Sequence, residues 1–476
     1  MDTRTMYGRR VITTDVSEIT ADNVVEVLKK AMEDHELNRG EIEYLWKYFK
    51  GDQPILRREK TVRPEICNKI VENRANEIVS FKVGYLCGEP IQYVGRSNDT
   101  TVGESICALN EYMFIVDKAA LDREVVEWQM IAGTANRMVL DNEAFDADSD
   151  EAPFEMYTLD PRDSFVVYST DVKHKRMMGV KYNTDDHGFK TYSVYTDKEC
   201  FFIEDDQIKK AVAHGLGAVP IVEYPANNAR LGSFEIVLPL LDAINNIESN
   251  RMDGVEQFIQ SFMKFINCDI DEEKFKALKD LGAIKIKSVD GQPADVDIVT
   301  SELDQGQTQV TKDDLYKAIL SICGLPSMSD GSTSDSSNNG AVILKNGWQG
   351  AETRAKDSEL MFKRSEKEIL KLVLKLCDGL ADLKLKLKDI DMKFTRRNYD
   401  NIQSKSQVLA TMLQQPKVHP LLAFTHCGMF SDPESAYSMS NKYYEEQMAK
   451  WEPVDVDEDD SDNGVVNKET SDVQTG

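Results

Sequence analysis

Residues 234–267 carry one unbroken helical pattern, and this constrains the fold more than any other feature of the chain. Apolar side chains recur there at helical spacing and mark one face. They are Leu240, Ile244, Ile247, Val255, Phe258 and Phe262. At about 1.5 Å per residue such a helix is on the order of 50 Å long, which exceeds an ordinary globular helix. Pro239 either opens this helix in its first turn or kinks it.

A small mixed insert and two further helices follow this pattern. The insert is predicted to contain a helix over 271–281 and two strands over 283–288 and 296–299, with a turn at Asp290-Gly291. Helix then resumes at Thr311, whose spacing to Asp314 is that of a capping box, and ends at Gly324-Leu325-Pro326.

The segment 327–340 reads SMSDGSTSDSSNNG, in which Met328 is the only apolar side chain. Such a segment cannot bury itself, so we expect a mobile loop. A second long helix is predicted from 341 to about 380, followed by a strand within 383–394.

The rest of the chain is predicted to be mixed. Helical spacing covers 22–36, 41–50, a stretch that begins at Asn68 as N-cap and ends at Gly88, and about 104–132. Short strands are predicted over 137–141, 155–160, 164–168, 177–182, 192–195 and 219–224. Helices return over 402–414, 421–427 and 434–450. The predicted class is therefore α+β.

The chain is strongly acidic, which restricts its partners. With 57 Lys and Arg against 83 Asp and Glu, the net charge of 476 residues is −26. That charge disfavours tight, sequence-blind binding of nucleic acid or of an anionic membrane. Residues 453–476 hold eight acids and one lysine, and we expect this tail to be disordered. The N-terminus lacks a signal-peptide pattern and no stretch is apolar enough for a membrane span, so we expect a soluble, cytoplasmically made protein.

The sequence offers no catalytic or metal-binding motif. The sequence has no Walker A motif, no G-x-S-x-G, no H-E-x-x-H and no C-x-x-C pair among its eight cysteines. The run from Asp459 resembles a calcium loop but has Thr470 where a bidentate Glu is needed. The acidic stretch 141–151 is interpreted as a solvated loop rather than a metal site. We therefore predict no enzyme activity, no cofactor and no metal.

Several blocks, in order, give the chain a family resemblance. They are Tyr48–Asp52, Asn68–Asn73, Val83–Ile91, His214–Tyr224, Asn227-Asn228, Leu240–Asn245 with Ser249, Asn339–Val342 and Lys393–Arg396. Together they cover most of residues 40–400, and the chain resembles the portal proteins of tailed bacteriophages, in the branch of long-tailed phages of Gram-positive hosts.

The resemblance implies a ring subunit with named regions. Residues 1–233 would form most of the wing, 234–267 the first stem helix, 268–310 the clip and 311–326 the second stem helix. Residues 327–340 would be the tunnel loop, and 341–400 a long helix and strand that complete the wing. Residues 401–452 would form a helical crown, before the acidic tail 453–476.

The resemblance also implies site residues. The tunnel loop and the start of the next helix would face DNA through Ser329, Asp330, Ser332, Ser334, Ser336, Asn338, Asn339 and Lys345. Lys312 and Lys317 could touch phosphates in the channel, although a solvated lysine is the more common role. Ile244, Ile247, Val255, Phe258 and Phe262 would pack against neighbouring subunits.

The partners implied are other copies of the chain, normally twelve, and double-stranded DNA in the channel. A terminase, a head-completion adaptor, and the major capsid and scaffolding proteins would also bind, while a membrane would not. The location implied is the portal vertex of the virion, after synthesis in the host cytoplasm, with roles in DNA packaging, genome retention and ejection, and head–tail joining. Two alternatives stay open: an acidic structural or scaffolding protein without a channel, and a metal-dependent nuclease that uses the acids of 141–151.

Overall fold

The computed structural model describes residues 8–96, 100–146, 151–259, 262–266, 295–299, 305–326, 347–378, 383–396, 402–430 and 433–449. The chain divides into two compact units, residues 1–398 and residues 399–476, and each is described by itself. Helices and sheets both contribute, which confirms the predicted α+β class.

Seven α-helices of the first unit lie in the described residues. They are α1 (Val24–Phe49), α2 (Arg74–Leu86), α3 (Thr100–Ile115), α4 (Lys118–Ala132), α5 (Leu238–Ile259), α6 (Gln305–Cys323) and α7 (Trp348–Leu376). Short 3-10 turns occupy Pro54–Arg57, Glu235–Val237 and Leu387–Asp389. None of the described helices is long and apolar enough to span a membrane.

The strands form four sheets. They are β1 (Ile12–Thr14), β2 (Gln92–Gly95), β3 (Thr134–Asp141), β4 (Phe154–Leu159), β5 (Ser164–Ser169), β6 (Arg176–Thr184), β7 (Lys190–Tyr195), β8 (Glu199–Glu204), β9 (Gln207–Ala213), β10 (Ile221–Pro225), β11 (Phe262–Ile266), β12 (Asp295–Val299) and β13 (Ile390–Lys393). The six-stranded sheet has the order β1-β5-β6-β7-β8-β9, in which only the β1–β5 pair is parallel. The others are β10-β3-β4, β11-β12 and β13-β2, all antiparallel.

The main core forms where α7 packs on the three-stranded sheet. Phe362, Ile369, Leu370 and Val373 recur at helical spacing along one face of α7 and are fully buried. They join apolar side chains of α2, α4, β3 and β10. A second core lies between α1 and the six-stranded sheet, where Val24, Val27, Leu28 and Ala31 meet the inward side chains of β5, β6 and β8.

The second unit contains three helices in its described part. They are α8 (Ile402–Leu413), α9 (Pro420–Cys427) and α10 (Pro433–Ala449). Their bounds agree with the predicted helices to within one or two residues. Phe424 stacks on Phe430 with ring centroids 5.2 Å apart and also meets Tyr437, so aromatic contacts hold the unit together.

Three predicted helix bounds are wrong. The helix predicted over 234–267 ends at Ile259, and residues 262–266 instead form strand β11. The helix predicted to begin at Thr311 begins at Gln305, so Thr311 lies inside it and its hydroxyl donates to the carbonyl of Gln307. The helix expected from Asn68 begins at Arg74, with Asn73 as its N-cap.

Other differences concern continuity. The two helices predicted over 22–36 and 41–50 are one helix, because Gly40 stays helical within α1. The stretch expected to be helical over 104–132 is divided at Asp117, which has φ of 51°. The strand expected within 383–394 is confined to 390–393.

The ambiguity at Pro239 is resolved by its position. It is the second residue of α5, where it leaves no intrahelical bond unmade, so it opens the helix and does not kink it. The predicted strand over 296–299 is confirmed as β12, which pairs with β11. The predicted partner strand over 283–288 lies outside the described residues.

Candidate functional site

The helix pair α5 and α6 runs antiparallel, and a stretch of chain without regular structure crosses α5. Residues 68–72, which we call the strap, donate alternate backbone N–H groups to α5 side chains. The N–H of Asn68 donates to Asp253 Oδ1 at 2.7 Å, that of Ile70 to Ser249 Oγ at 3.0 Å, and that of Glu72 to Asn245 Oδ1 at 2.8 Å.

Helix and strand geometry explain these three hydrogen bonds, which we call the ladder. Positions 245, 249 and 253 are four residues apart, so they lie on one face of α5. Alternate N–H groups of an extended chain point to the same side. The ladder satisfies strap N–H groups that belong to no helix or sheet, and the three α5 side chains are almost completely buried.

Asn245 also forms a hydrogen bond to a residue outside the strap. Its side-chain amide donates to Gln53, whose own amide donates to the carbonyl of Tyr48 at 3.2 Å and to Asn73 Oδ1 at 3.1 Å. Asn73 in turn donates to the carbonyl of Phe49 at 2.8 Å. Polar groups at the end of α1 and the start of α2 are thus joined to α5.

At the other end, Asp253 gathers positive charge. Lys60 Nζ lies 2.7 Å and Arg58 Nη2 3.2 Å from Asp253 Oδ2. Burial by itself would raise the pKa of Asp253, but the hydrogen bonds from Lys60 and Asn68 outweigh it and lower that pKa. The carboxylate is therefore held ionised at the end of the strap.

Lys312 on α6 forms ion pairs with both the strap and α5. Its Nζ lies 2.9 Å from Glu72 Oε2 on the strap and 2.7 Å from Glu248 Oε1 on α5. Burial opposes these pairings, yet the two carboxylates raise the pKa of Lys312, and Lys312 together with Arg251 lowers the pKa of Glu248. One lysine therefore links strap, α5 and α6.

The start of α2 is attached to α6 by an aromatic contact. The Arg74 guanidinium lies 4.1 Å from the ring centroid of Tyr316, and the Tyr316 hydroxyl donates to Glu77 at 2.7 Å. Burial and that bond raise the pKa of Tyr316 to about 12, so the hydroxyl remains a donor.

A second polar cluster lies inside the core and ties α7 to the sheet. Lys118 and Asp122 of α4, Arg137 of β3 and Glu366 of α7 are all almost fully buried. Asp122 lies 2.6 Å from Lys118 and 2.7 Å from Arg137, and Glu366 lies 3.3 Å and 3.2 Å from the same two cations. Two cations thus face two carboxylates, which keeps the buried cluster neutral.

The predicted stem residues occupy different environments. Ile244 is 1% exposed and belongs to the core of its own subunit, and Ile247 is half-buried. Val255 is 38% exposed. Phe258 lies on α5 and Phe262 on strand β11 rather than on the predicted helix.

The predicted channel cations also differ from each other. Lys312 is engaged in the two ion pairs above, whereas Lys317 is exposed on α6. The predicted tunnel loop 327–340 and Lys345 lie outside the described residues, as do residues 453–476.

The strap is the feature that sequence reasoning missed. Its signal was present as Asn245, Ser249 and Asp253, a polar line at four-residue spacing within an otherwise apolar helix pattern. Two of the blocks that carry the family resemblance, Asn68–Asn73 and Leu240–Asn245 with Ser249, meet in this ladder. Within the described part of the chain, no group of three or more His, Cys, Asp or Glu side chains could hold a metal ion.

Fold and site together define an α+β protein whose distinctive part is a strapped helix pair. The family model described as "Phage portal protein, SPP1 Gp6-like" matches residues 28–458. The chain therefore belongs to this family of phage portal proteins, which confirms the resemblance seen in the sequence.

Among solved structures, a chain of the "Neck of empty GTA particle computed with C6 symmetry" is similar. The sequence identity is 12% and the TM-score 0.44, over 75% of this chain and 90% of that chain. The comparison with curated proteins gave no match.

Proposed function

We propose that copies of this chain close into a ring at one capsid vertex, normally of twelve subunits, and that double-stranded DNA passes through its centre during packaging and ejection. The observation that carries this proposal is the family match over residues 28–458. In this proposal the ring also retains the genome and joins head to tail.

Exposed apolar side chains on the helix pair support association between subunits. Met252 and Val255 of α5 are 44% and 38% exposed, and Val310 and Ile322 of α6 are 59% and 40% exposed. Large apolar groups exposed on one pair of helices offer apolar area to an interaction between subunits. A ring uses such a surface in a heterologous contact that closes on itself. We propose that Val255 and Val310, rather than the buried Ile244, make this contact.

The net charge supports a channel wall to which moving DNA does not adhere. A ring of twelve would carry 12 × −26 = −312, and an acidic wall repels phosphates. The Lys312 charge is compensated inside the subunit by Glu72 and Glu248. We therefore assign Lys312 a structural role and keep the exposed Lys317 as the candidate phosphate contact.

The proposal assigns the energy source to another protein. The sequence has no Walker A motif, so a separate terminase would drive the DNA, and the portal would serve as its docking ring and conduit. A head-completion adaptor and the capsid and scaffolding proteins complete the proposed partners.

Negative-stain imaging and native mass spectrometry of the purified full chain test the ring. We expect closed particles with a central opening. The double variant Val255→Asp with Val310→Asp should lose them, because it buries two carboxylates in the contact. Leu37→Asp is the matched control, since Leu37 is 50% exposed on α1, away from the helix pair. A monomer at every concentration, or closed particles without an opening, would contradict the proposal.

The tunnel loop has its own test. Shortening residues 327–340 should leave ring assembly intact and reduce the amount of DNA packaged, because the polar side chains of this segment are proposed to follow the DNA through weak contacts. Normal DNA filling by the shortened variant would remove the loop from the mechanism.

A further inference from the structure

A groove of about 680 Å³ lies in the first unit, away from the helix pair. The turn between β5 and β6 lines it with Lys173 and Lys175, and α7 lines it with Arg364. Strand β10 and the loop after it, which carries Asn228 and Arg230, complete the lining. The volume is within the roughly 300–1,000 Å³ typical of ligand pockets.

The charge of the groove is opposite to that of the molecule. Five cations line it, namely Lys173, Lys175, Arg176, Arg230 and Arg364. Three carboxylates line it, those of Asp197, Glu223 and Glu368, which leaves 5 − 3 = +2. In a chain with a net charge of −26, a concave positive region concentrates the potential that attracts an anionic partner.

Three of the five cations in the groove are paired with carboxylates of the groove, and two are not. Arg230 pairs with Glu223 at 2.6 Å, Arg176 with Glu368 at 3.1 Å and Lys175 with Asp197 at 3.2 Å. Lys173 and Arg364 are both exposed, and neither forms a salt bridge with a described residue. No carboxylate of the lining pairs with either cation, although Lys173 also interacts electrostatically with Asp171, which is not part of the lining. One cation stands on the turn between β5 and β6 and the other on α7, so an anionic segment lying in the groove would meet both.

We propose that this groove binds an acidic polypeptide segment of another protein. A polypeptide offers carboxylates to Lys173 and Arg364, and its backbone offers both N–H donors and carbonyl acceptors. The exposed Asn228 amide can bond to either. A DNA backbone offers acceptors only, so it would leave the side-chain carbonyl of Asn228 without a donor.

Fluorescence anisotropy with the full-length protein tests the groove directly. The probe is a short labelled peptide of alternating glutamate and alanine, and the comparison probes are its lysine counterpart and a short DNA duplex. We expect the acidic peptide to bind, added salt to weaken it, and the K173A/R364A variant to reduce its affinity by about tenfold. The matched control is K209A/K367A, which removes exposed lysines of β9 and α7 that do not line the groove.

Three outcomes would overturn the proposal. One is unchanged peptide affinity in K173A/R364A. Another is DNA that binds more tightly than the peptide and loses its affinity in the same variant, since the groove would then read phosphates. The third is a changed oligomeric state of that variant, which would make a second copy of this chain the occupant. Because peptide binding and ring formation are measured separately, this inference can fail while the proposed ring stands.

Discussion

His35 is a buried histidine whose neighbours keep it neutral. It lies on α1, stacks on Phe165 with ring centroids 4.3 Å apart, and its Nε2 lies 3.2 Å from both the carbonyl of Arg162 and the hydroxyl of Tyr182. Burial lowers the pKa of His35 to about 4 from 6.5. Protonation therefore favours the unfolded chain.

This shift predicts a pH dependence of stability. Between pH 6.5 and about 4 the unfolded chain binds the proton and the folded chain does not. The stability that neutral His35 provides is thus complete above pH 6.5 and is lost as the pH falls toward 4. At about 1.4 kcal/mol per pH unit, the loss is at most about 3 kcal/mol. Denaturant unfolding of the wild type and His35→Gln over this range measures it.

The control is His187→Gln, which changes an exposed histidine in the turn between β6 and β7. It should retain the wild-type pH dependence, whereas His35→Gln should flatten it. Equal slopes in all three proteins would mean that other groups cause the acid sensitivity.

Glu366 is the residue on which the buried charge cluster depends. It accepts hydrogen bonds from the hydroxyls of Tyr93 and Tyr224, and it faces Lys118 and Arg137. Burial alone would raise the pKa of Glu366, but the two cations and two hydroxyls lower it. The carboxylate therefore stays ionised in the core.

Glu366→Gln should lower the free energy of unfolding by about 3–5 kcal/mol, because two buried cations would then face one carboxylate. Adding Arg137→Met should recover part of the loss by restoring neutrality. Chemical denaturation followed by far-UV circular dichroism measures both, with the exposed Lys367→Gln on the same helix as control. A Glu366→Gln protein as stable as this control would show that the cluster is not required.

At the scale of elements, the strap determines how α2, α5 and α6 are held together. Asn245→Ala removes the acceptor for the N–H of Glu72 and the donor to Gln53. We expect faster hydrogen exchange at that amide and a stability loss of about 1–3 kcal/mol. Hydrogen exchange read by mass spectrometry over residues 66–74 measures the first effect.

Asn246→Ala provides the comparison. Asn246 is exposed and only donates to the carbonyl of Asp242, one turn back on the same helix. Protection of the strap should therefore be unchanged in this variant. If both alanine variants expose the strap equally, the ladder does not hold it.

How far the sequence predicted these elements depends on whether the deciding interaction is local. The stop at Gly324 and the helices of the second unit were predicted because capping residues and apolar spacing lie within a few residues. The end of α5 was not predicted, because aromatic residues such as Phe258 and Phe262 suit both a helix face and a short strand.

Other elements could not be predicted, because they depend on residues distant in the sequence or have no regular spacing of apolar residues. The first turns of α6, up to Val310, are almost entirely polar, so apolar spacing could not reveal them. Strand β9 is exposed except at the half-buried Ile208, so its sequence lacks a regular alternation of apolar and polar residues. Strand β1 is only three residues long and is defined by its pairing with β5. The strap needs both of its segments in contact before its hydrogen bonds exist.

At the scale of the whole molecule, acidity sets the conditions for assembly. Each chain carries −26, so subunits repel one another while their apolar surfaces attract. Raising ionic strength screens the repulsion and leaves the apolar contact intact. We therefore expect a larger fraction of rings at moderate than at low salt.

Analytical ultracentrifugation at fixed protein concentration measures this fraction. Sucrose at matched density and viscosity is the control, because it adds no ions. If rings dissociate as salt is raised, charge pairs between subunits, and not apolar contacts, hold them.

The ladder between the strap and α5 works because the repeat distances of its two sides nearly match. Two residues of extended chain advance about 6.6 Å, whereas four helical residues advance about 6.0 Å. The strap donors and the helix acceptors therefore shift relative to one another by about 0.6 Å at each step. The three hydrogen bonds span only two such steps and stay aligned, whereas a much longer ladder could not. One residue inserted between Asn68 and Glu72 would turn every later N–H away from the helix, so evolution can lengthen this region only outside the strap.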